Sequence, residues 1–272
     1  MNVRQLRSKK EQREKIVMVT AYDYPSALLA EQAGVDMLLV GDSLGNVVLG
    51  YDSTRPVTME DILLHTRPVA RAAQNALVVA DMPFGSYQIS TEQALSNAIR
   101  LIKEGGAAAV KLEGGVEVAP IIAALSTMGI PVMAHIGLLP QTAAMWQGFR
   151  TQGRDAAAAH SLLTIAQELE RAGAFSVVLE CVASEAAAFI SSQLTMPTIG
   201  IGAGPGCDGQ VLVFHDLVGL NEGHAPRFAK QYGQAATVIR QAIGDFAAEV
   251  RQGLYPGPEH SFFMDAAELK KL

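Results

Sequence analysis

The sequence predicts an α/β protein built as a single (β/α)8 TIM barrel, and three observations carry that prediction. Short apolar runs rich in β-branched residues recur along the chain, most of them separated by helical stretches. Nearly every run closes on a polar or charged residue, which is where parallel barrels keep their chemistry. The 272 residues contain no low-complexity linker and match the size of one such barrel. A closed parallel ring hides both faces of every strand and leaves no edge. A doubly wound open sheet is the competing solution, but the Gly-x-Gly-x-x-Gly turn expected after its first strand is absent. Residues 1–272 are therefore read as one domain, with an N-terminal helix inside 1–15 and a C-terminal extension over 253–272.

Taken in order, a polar helix from Asn2 to Lys10 precedes the first apolar run, Ile16 to Thr20. Pro25 suits the first turn of a helix running to Gln32, and Gly34 stops it. Met37 to Ser43 reads as a strand covered on both faces, followed by a long loop from Leu44 to Val57. Thr58 with Asp61 forms a capping signature for a helix to Ala73, after which Asn75 is a candidate for the left-handed position. Further strands are expected at Leu77–Asp81, Ala108–Glu113, Pro131–His135, Ser176–Glu180, Pro197–Ile201 and Val211–His215. Helices are expected at Thr91–Lys103, Glu117–Met128, Ala156–Arg171 and Ser184–Gln193, with Gly105, Gly129 and Gly173 at helix ends. An amphipathic pattern over Gln231–Gln252 is a candidate for the last barrel helix, and Tyr255–Leu272 for a surface extension or oligomer contact.

Composition narrows the function classes. With 49% hydrophobic and 18% charged residues, the chain buries a large core and has apolar surface left for oligomer contacts. A net charge of −6 argues against nucleic acid as a partner. The basic opening, Arg4 to Lys15, has no apolar core behind it and contains Glu11 and Glu14, so it does not read as a signal peptide. No apolar span is long enough for a membrane. Two cysteines, Cys181 and Cys207, make neither a disulfide framework nor a metal site, and a reducing cytoplasm is the expected compartment.

Asp42, Asp81, Glu113, His135 and Glu180 all close successive runs, so a barrel gathers them at one mouth. On the fourth strand Lys111 and Glu113 share a face. Clustered carboxylates repel one another and lose hydration, and a cation is the simplest compensation. Oxygen ligands without thiolate favour a hard divalent ion, Mg2+ before Zn2+, with Asp42, Asp81 and Glu113 as the ligands. Each aspartate taken singly is equally a helix cap. His135 is a neutral donor or general acid if it faces the site, and otherwise a satisfied core histidine. Glu180, across the barrel, is placed to be a general base, its pKa raised by burial; outside a barrel it reads as a capping carboxylate. Cys181 points to the other face as a small buried residue. The run Gly200 to Gly206 is a candidate phosphate loop after the seventh strand, or equally a tight turn, and lacks the ending of a nucleotide P-loop.

An ordered set of motifs then resembles the ketopantoate hydroxymethyltransferase family over nearly the whole chain. It comprises Thr20-Ala21-Tyr22-Asp23-Tyr24, Val40-Gly41-Asp42-Ser43-Leu44-Gly45, Asp81-Met82-Pro83-Phe84, Lys111-Leu112-Glu113-Gly114-Gly115, His135-Ile136-Gly137-Leu138, Leu179-Glu180-Cys181-Val182 and Gly200-Ile201-Gly202-Ala203-Gly204. The resemblance implies a (β/α)8 barrel in a large homo-oligomer, commonly a decamer, on the pantothenate route. It implies Mg2+ on Asp42, Asp81 and Glu113, ketoacid contacts from Asp42, Ser43, Asp81 and Lys111, and Glu180 as the base. Departures from the family pattern are Tyr51, Leu139 and Gln147, which fall in loops and bear on folate contacts more than on the reaction. The expected reaction moves a hydroxymethyl group from 5,10-methylenetetrahydrofolate to 3-methyl-2-oxobutanoate through a Mg2+-stabilised enolate. Two rival readings are a metal-dependent lyase or mutase on a 2-oxo acid or enolpyruvate, and a ketoacid-binding barrel without turnover. A Schiff base on Lys111 is the covalent alternative, disfavoured because Glu113 beside it holds the amine charged.

Overall fold

A computed structural model describes residues 1–143, 150–221, 223 and 226–272. Eight parallel strands close into a barrel in sequence order: β1 Ile16–Thr20, β2 Met37–Val40, β3 Leu77–Asp81, β4 Ala109–Glu113, β5 Val132–Gly137, β6 Ser176–Glu180, β7 Thr198–Ile201 and β8 Gly209–Leu212. β8 returns to pair with β1, Val17 lying opposite Gln210.

The helices are α1 Val3–Glu11, α2 Tyr24–Gln32, α3 Leu44–Val47, α4 Met59–Ala72, α5 Thr91–Lys103, α6 Ala119–Thr127, α7 Pro140–Ala143, α8 Ala156–Arg171, α9 Ser184–Gln193, α10 Phe214–Val218, α11 Ala235–Gln252 and α12 Ala266–Leu269. Their starts follow the expected chemistry. Thr58 and Asp61 form a reciprocal capping box for α4, Asp23 caps α2 ahead of Pro25, and Asp155 caps α8.

Alternation along the strands divides the core in two. Leu38, Val40, Val78, Val110, Leu112 and Leu179 face outward and pack under the helices, while Met18, Met37, Leu39, Val79, Met133 and Val178 fill the barrel. Leu6 of α1 belongs to that inner cluster and is completely buried, so the N-terminal helix supplies part of the barrel filling. Two ion pairs hold α1 in place: Lys9 with Asp36 at 2.7 Å and Lys10 with Asp208 at 2.8 Å.

Several boundaries differ from expectation. β2 stops at Val40, leaving Asp42 beyond the strand, and the loop after it contains α3. β8 begins at Gly209, and His215 lies in α10. The turn after α5 places Gly106, not Gly105, in the left-handed region, with φ 79°. Asn75 is not left-handed either: its N–H and side-chain amide both donate to Glu31, which settles the turn without a positive φ. β7 and β8 are joined by a loop without a helix, latched by Asp208, whose Oδ2 accepts from Thr198 N–H, Thr198 Oγ1 and Lys10.

The chain divides into two compact units, Met1–Phe214 with Pro226–Ala229, and His215–Ala225 with Lys230–Leu272. In the second, α11 starts at Ala235, not Gln231, and ends on Gly253 in the left-handed region. Ile239, Ile243, Phe246 and Val250 recur at helical spacing on one exposed stripe of α11. Among the described residues, no helix is long and apolar enough to cross a membrane.

Candidate active site

Strand register places the charged side chains. β3 and β4 pair Asp81 with Lys111, and β4 and β5 pair Glu113 with His135. Because Val79, Ala109, Met133 and Val178 fill the barrel interior, the residues two further along point the same way at the C-terminal mouth. Asp81, Lys111, Glu113, His135 and Glu180 therefore meet there. Lys111 Nζ lies 2.9 Å from Asp81 Oδ1, 3.7 Å from Glu113 Oε1 and 3.3 Å from His135 Nδ1. His135 bridges two acids, with Nδ1 3.3 Å from Glu113 Oε1 and Nε2 3.2 Å from Glu180 Oε2. Asp42 joins from beyond β2, its N–H donating to Asp81 Oδ2 at 3.2 Å. The side chain of Glu180 is 14% exposed, against 2% or less for Asp81 and Glu113, so it is the acid open to an entering molecule.

A glycine permits the close approach of β5 to β6. Gly137 has φ 97°, and a Cβ there would run into the Glu180 carbonyl, which is the segment that carries the candidate base. The glycine loop after β7 has a steric reason of the same sort. A Cβ on Gly204 would strike Ser184, and one on Gly206 would strike Ala188, so the loop lies against α9.

Burial governs the electrostatics. It raises the Asp42 carboxyl well above the usual range, with Asp81 and Glu113 adding repulsion. Asp81 is also raised by burial, although Lys111 opposes the shift. Glu113 goes the other way: despite its burial, His135 and Lys111 pull its pKa below the ordinary value. Burial depresses Lys111, but Asp81, Glu113 and Asp42 outweigh it and hold the ammonium charged. Burial and Lys111 likewise oppose a charge on His135, yet Glu113 and Glu180 push it up to about 9. That direction favours the protonated ring near the two acids, and of the sequence readings it suits the general acid better than the neutral donor.

The donor set fits a hard divalent cation. All its acidic ligand atoms are oxygens, and burial and like charge shift the Asp42 carboxyl upward, a shift that an added cation would oppose. Asp81 Oδ1 and Glu113 Oε1 are buried without a well-directed hydrogen bond, their compensation coming from nearby charge. Among the described residues, no three acidic, histidine or cysteine side chains already stand as a closed cage. The ammonium of Lys111 is the cation the protein itself provides between Asp81 and Glu113.

Ser43, at the start of α3, has its hydroxyl 2.8 Å from the Tyr22 hydroxyl. Cys181 departs from expectation. It lies past the end of β6 with φ 50°, is half-buried, and lines a cavity of about 1140 Å3 with Ser184, Gly204 and Phe228. Burial, with Glu180 beside it, pushes its thiol up to about 11, which disfavours the thiolate that a nucleophile needs. Of the family departures, Tyr51 is exposed and Leu139 half-buried, while Gln147 lies outside the described residues.

Two members of the site carry no charge and were not foreseen. Gln141, on α7, donates from Nε2 to Asp42 Oδ2 and from its main-chain N–H to Glu113 Oε2. The Tyr87 hydroxyl lies 2.8 Å from Gln141 Oε1 and 2.9 Å from the Glu113 carbonyl, and it accepts the Glu113 N–H. The one available signal was position: Gln141 follows a strand that ends at the mouth.

Comparison with known proteins adds independent findings. The profile of the ketopantoate hydroxymethyltransferase family matches residues 1–258. A 3-methyl-2-oxobutanoate hydroxymethyltransferase from Heliobacterium modesticaldum is 55% identical over 261 residues, covering 96% of this chain and 95% of the relative. One from Carboxydothermus hydrogenoformans is 52% identical, covering 100% of this chain and 99% of the relative. Among solved structures, a phosphoenolpyruvate phosphomutase from Streptomyces platensis subsp. rosaceus has a TM-score of 0.62 at 17% identity, over 100% of this chain and 94% of that one. Phosphonopyruvate hydrolase in complex with oxalate and Mg2+ has a TM-score of 0.59 at 16% identity, with the same coverages. At such identities the structural likeness speaks for the barrel alone.

Proposed function

The chain belongs to the ketopantoate hydroxymethyltransferase family, and from that premise we propose that the carboxylate-lined mouth of its barrel is where the family's reaction takes place. The reaction transfers a hydroxymethyl group from 5,10-methylenetetrahydrofolate to 3-methyl-2-oxobutanoate, giving 2-dehydropantoate and tetrahydrofolate in pantothenate biosynthesis. Mg2+ supplies Lewis acidity toward the ketoacid oxygens. Asp42, Asp81 and Glu113 would hold it.

The chain's own residues do the rest. Lys111, kept charged by Asp81 and Glu113, pairs with the oxygens of the ketoacid, and Asp42, Ser43, Asp81 and His135 complete its binding set. Glu180, the most exposed acid of the cluster, removes the C3 proton. His135 holds one oxygen of Glu180 and leaves the other for that proton. Water supplies the hydroxyl oxygen: it releases the one-carbon unit from the two folate nitrogens as formaldehyde, giving tetrahydrofolate. The enolate carbon attacks the formaldehyde carbon while the formaldehyde oxygen takes up a proton to become the new hydroxyl. The observation that carries this reading is the continuous chain from Asp81 through Lys111, Glu113 and His135 to Glu180, which joins candidate ligands to candidate base in one buried network.

We read residues 1–272 as one functional domain acting in the cytoplasm as a homo-oligomer, a decamer by family resemblance. The exposed apolar stripe of α11 supports the oligomer.

The test is exchange of the C3 proton in D2O, followed by NMR with Mg2+ and with or without methylenetetrahydrofolate. The native chain is expected to exchange without folate and to form product only with it. Glu180→Gln should slow exchange by roughly 10²-fold or more, the usual scale for losing a general base. A native chain that binds the ketoacid but never exchanges would be a binding protein, and the enolate route would be wrong.

A further inference from the structure

Gln141 is fully buried, and both ends of its side-chain amide are engaged. Nε2 donates to Asp42 Oδ2 and to the Met82 carbonyl, each at 3.0 Å, while Oε1 meets the Tyr87 hydroxyl at 2.8 Å. Turned the other way, the amide would aim its oxygen at two acceptors, so only one orientation is compatible with its surroundings. Its main-chain N–H adds a bond of 3.1 Å to Glu113 Oε2. One residue thus grips two carboxylates that arrive from β4 and from beyond β2. Glu113 Oε1 is left facing Lys111 and His135 without a well-directed hydrogen bond of its own.

We propose that Gln141 is a positioning residue of the cation site: it fixes the orientation of Asp42 and Glu113 so that their remaining oxygens converge on a hard divalent ion. The inference rests on the reading of Asp42, Asp81 and Glu113 as ligands. The neutrality of the amide is part of the argument. Lys111 compensates the acids with charge and so competes electrostatically with an incoming cation, whereas Gln141 orients them without adding any. Hydrogen bonds to ligating carboxylates narrow their motion, and removing such outer contacts typically weakens metal binding by about 10- to 100-fold.

The experiment is a Mn2+ titration of the substrate-free full chain, following free Mn2+ by electron paramagnetic resonance, with thermal melting as a check on folding. Gln141→Met keeps the length of the side chain and removes its amide donors to Asp42 and Met82, leaving the main-chain N–H to Glu113, and Gln141→Asn keeps the amide but is one methylene too short. Each is expected to raise the Mn2+ dissociation constant about 10- to 100-fold with the number of sites per chain unchanged. A dissociation constant equal to the native one in either folded variant overturns the proposal. So does a loss of sites at unchanged affinity, because a merely structural residue lowers the folded fraction and not the affinity. If neither variant folds, Gln141 is a folding determinant and the proposal falls. A native chain that binds no Mn2+ defeats the ligand assignment itself, and this inference with it.

Discussion

Lys111 carries its ammonium between Asp81 and Glu113, and those acids hold it protonated against the pull of burial. The direction of that shift decides between two chemistries. A Schiff base needs the free amine, and a pKa displaced upward keeps that form scarce throughout pH 7 to 9. Treating the enzyme with 3-methyl-2-oxobutanoate and borohydride is therefore expected to leave the mass of the chain unchanged. A reduced adduct on Lys111 would make it the nucleophile and displace the ion-pairing role. The charged members of the mouth were legible in the sequence because Asp81, Glu113, His135 and Glu180 close apolar runs, and the barrel geometry turns that position into a shared location. Gln141 and Tyr87 were not legible. A neutral amide on a four-residue helix and a phenol in a loop carry neither periodicity nor charge, and their role exists only once Asp42 and Glu113 are near them. For His135 the sequence left neutral donor and general acid open, because its charge depends on two acids from different strands.

Among the elements, the β7–β8 connection shows what a strand pattern leaves out. The apolar runs were visible, but β8 was placed two residues late because Gly209 and Gln210 do not read as strand, and only pairing with Ile16 and Val17 on one side and Ile199 and Gly200 on the other makes them so. Tertiary hydrogen bonding overrode local preference. Asp208 does the work that a crossover helix does elsewhere, its Oδ2 taking three donors from Lys10 and Thr198. Asp208→Asn removes the charge from a charge-assisted set and turns one end into a donor facing donors. The expected cost is about 1.5–3 kcal/mol, the scale for a hydrogen bond to a charged group, read as a lowered melting temperature. An unchanged melting temperature would mean that the loop is held by its glycine packing on α9 and by the bonds of Lys15 and Gln210 to its carbonyls.

At the scale of the whole molecule, the apolar stripe of α11 bears on assembly. A chain of 28.8 kDa with Ile239, Ile243, Phe246 and Val250 all exposed on one helical face is expected to sediment as a multiple of that mass. Phe246→Asp should shift it to smaller species while leaving the far-ultraviolet circular dichroism of each chain unchanged. Retention of the native mass would remove α11 from the interface. Closure of the barrel has a further consequence, for the order of synthesis. Asp42, Asp81, Glu113, His135 and Glu180 have all been translated before Gly209–Leu212, the segment that joins β8 to β1. A nascent chain on the ribosome thus holds its entire charged constellation while two raw sheet borders still offer unpaired amides and carbonyls to any neighbour. The newborn polypeptide is most adhesive when its chemistry is already complete, and four late residues end that hazard.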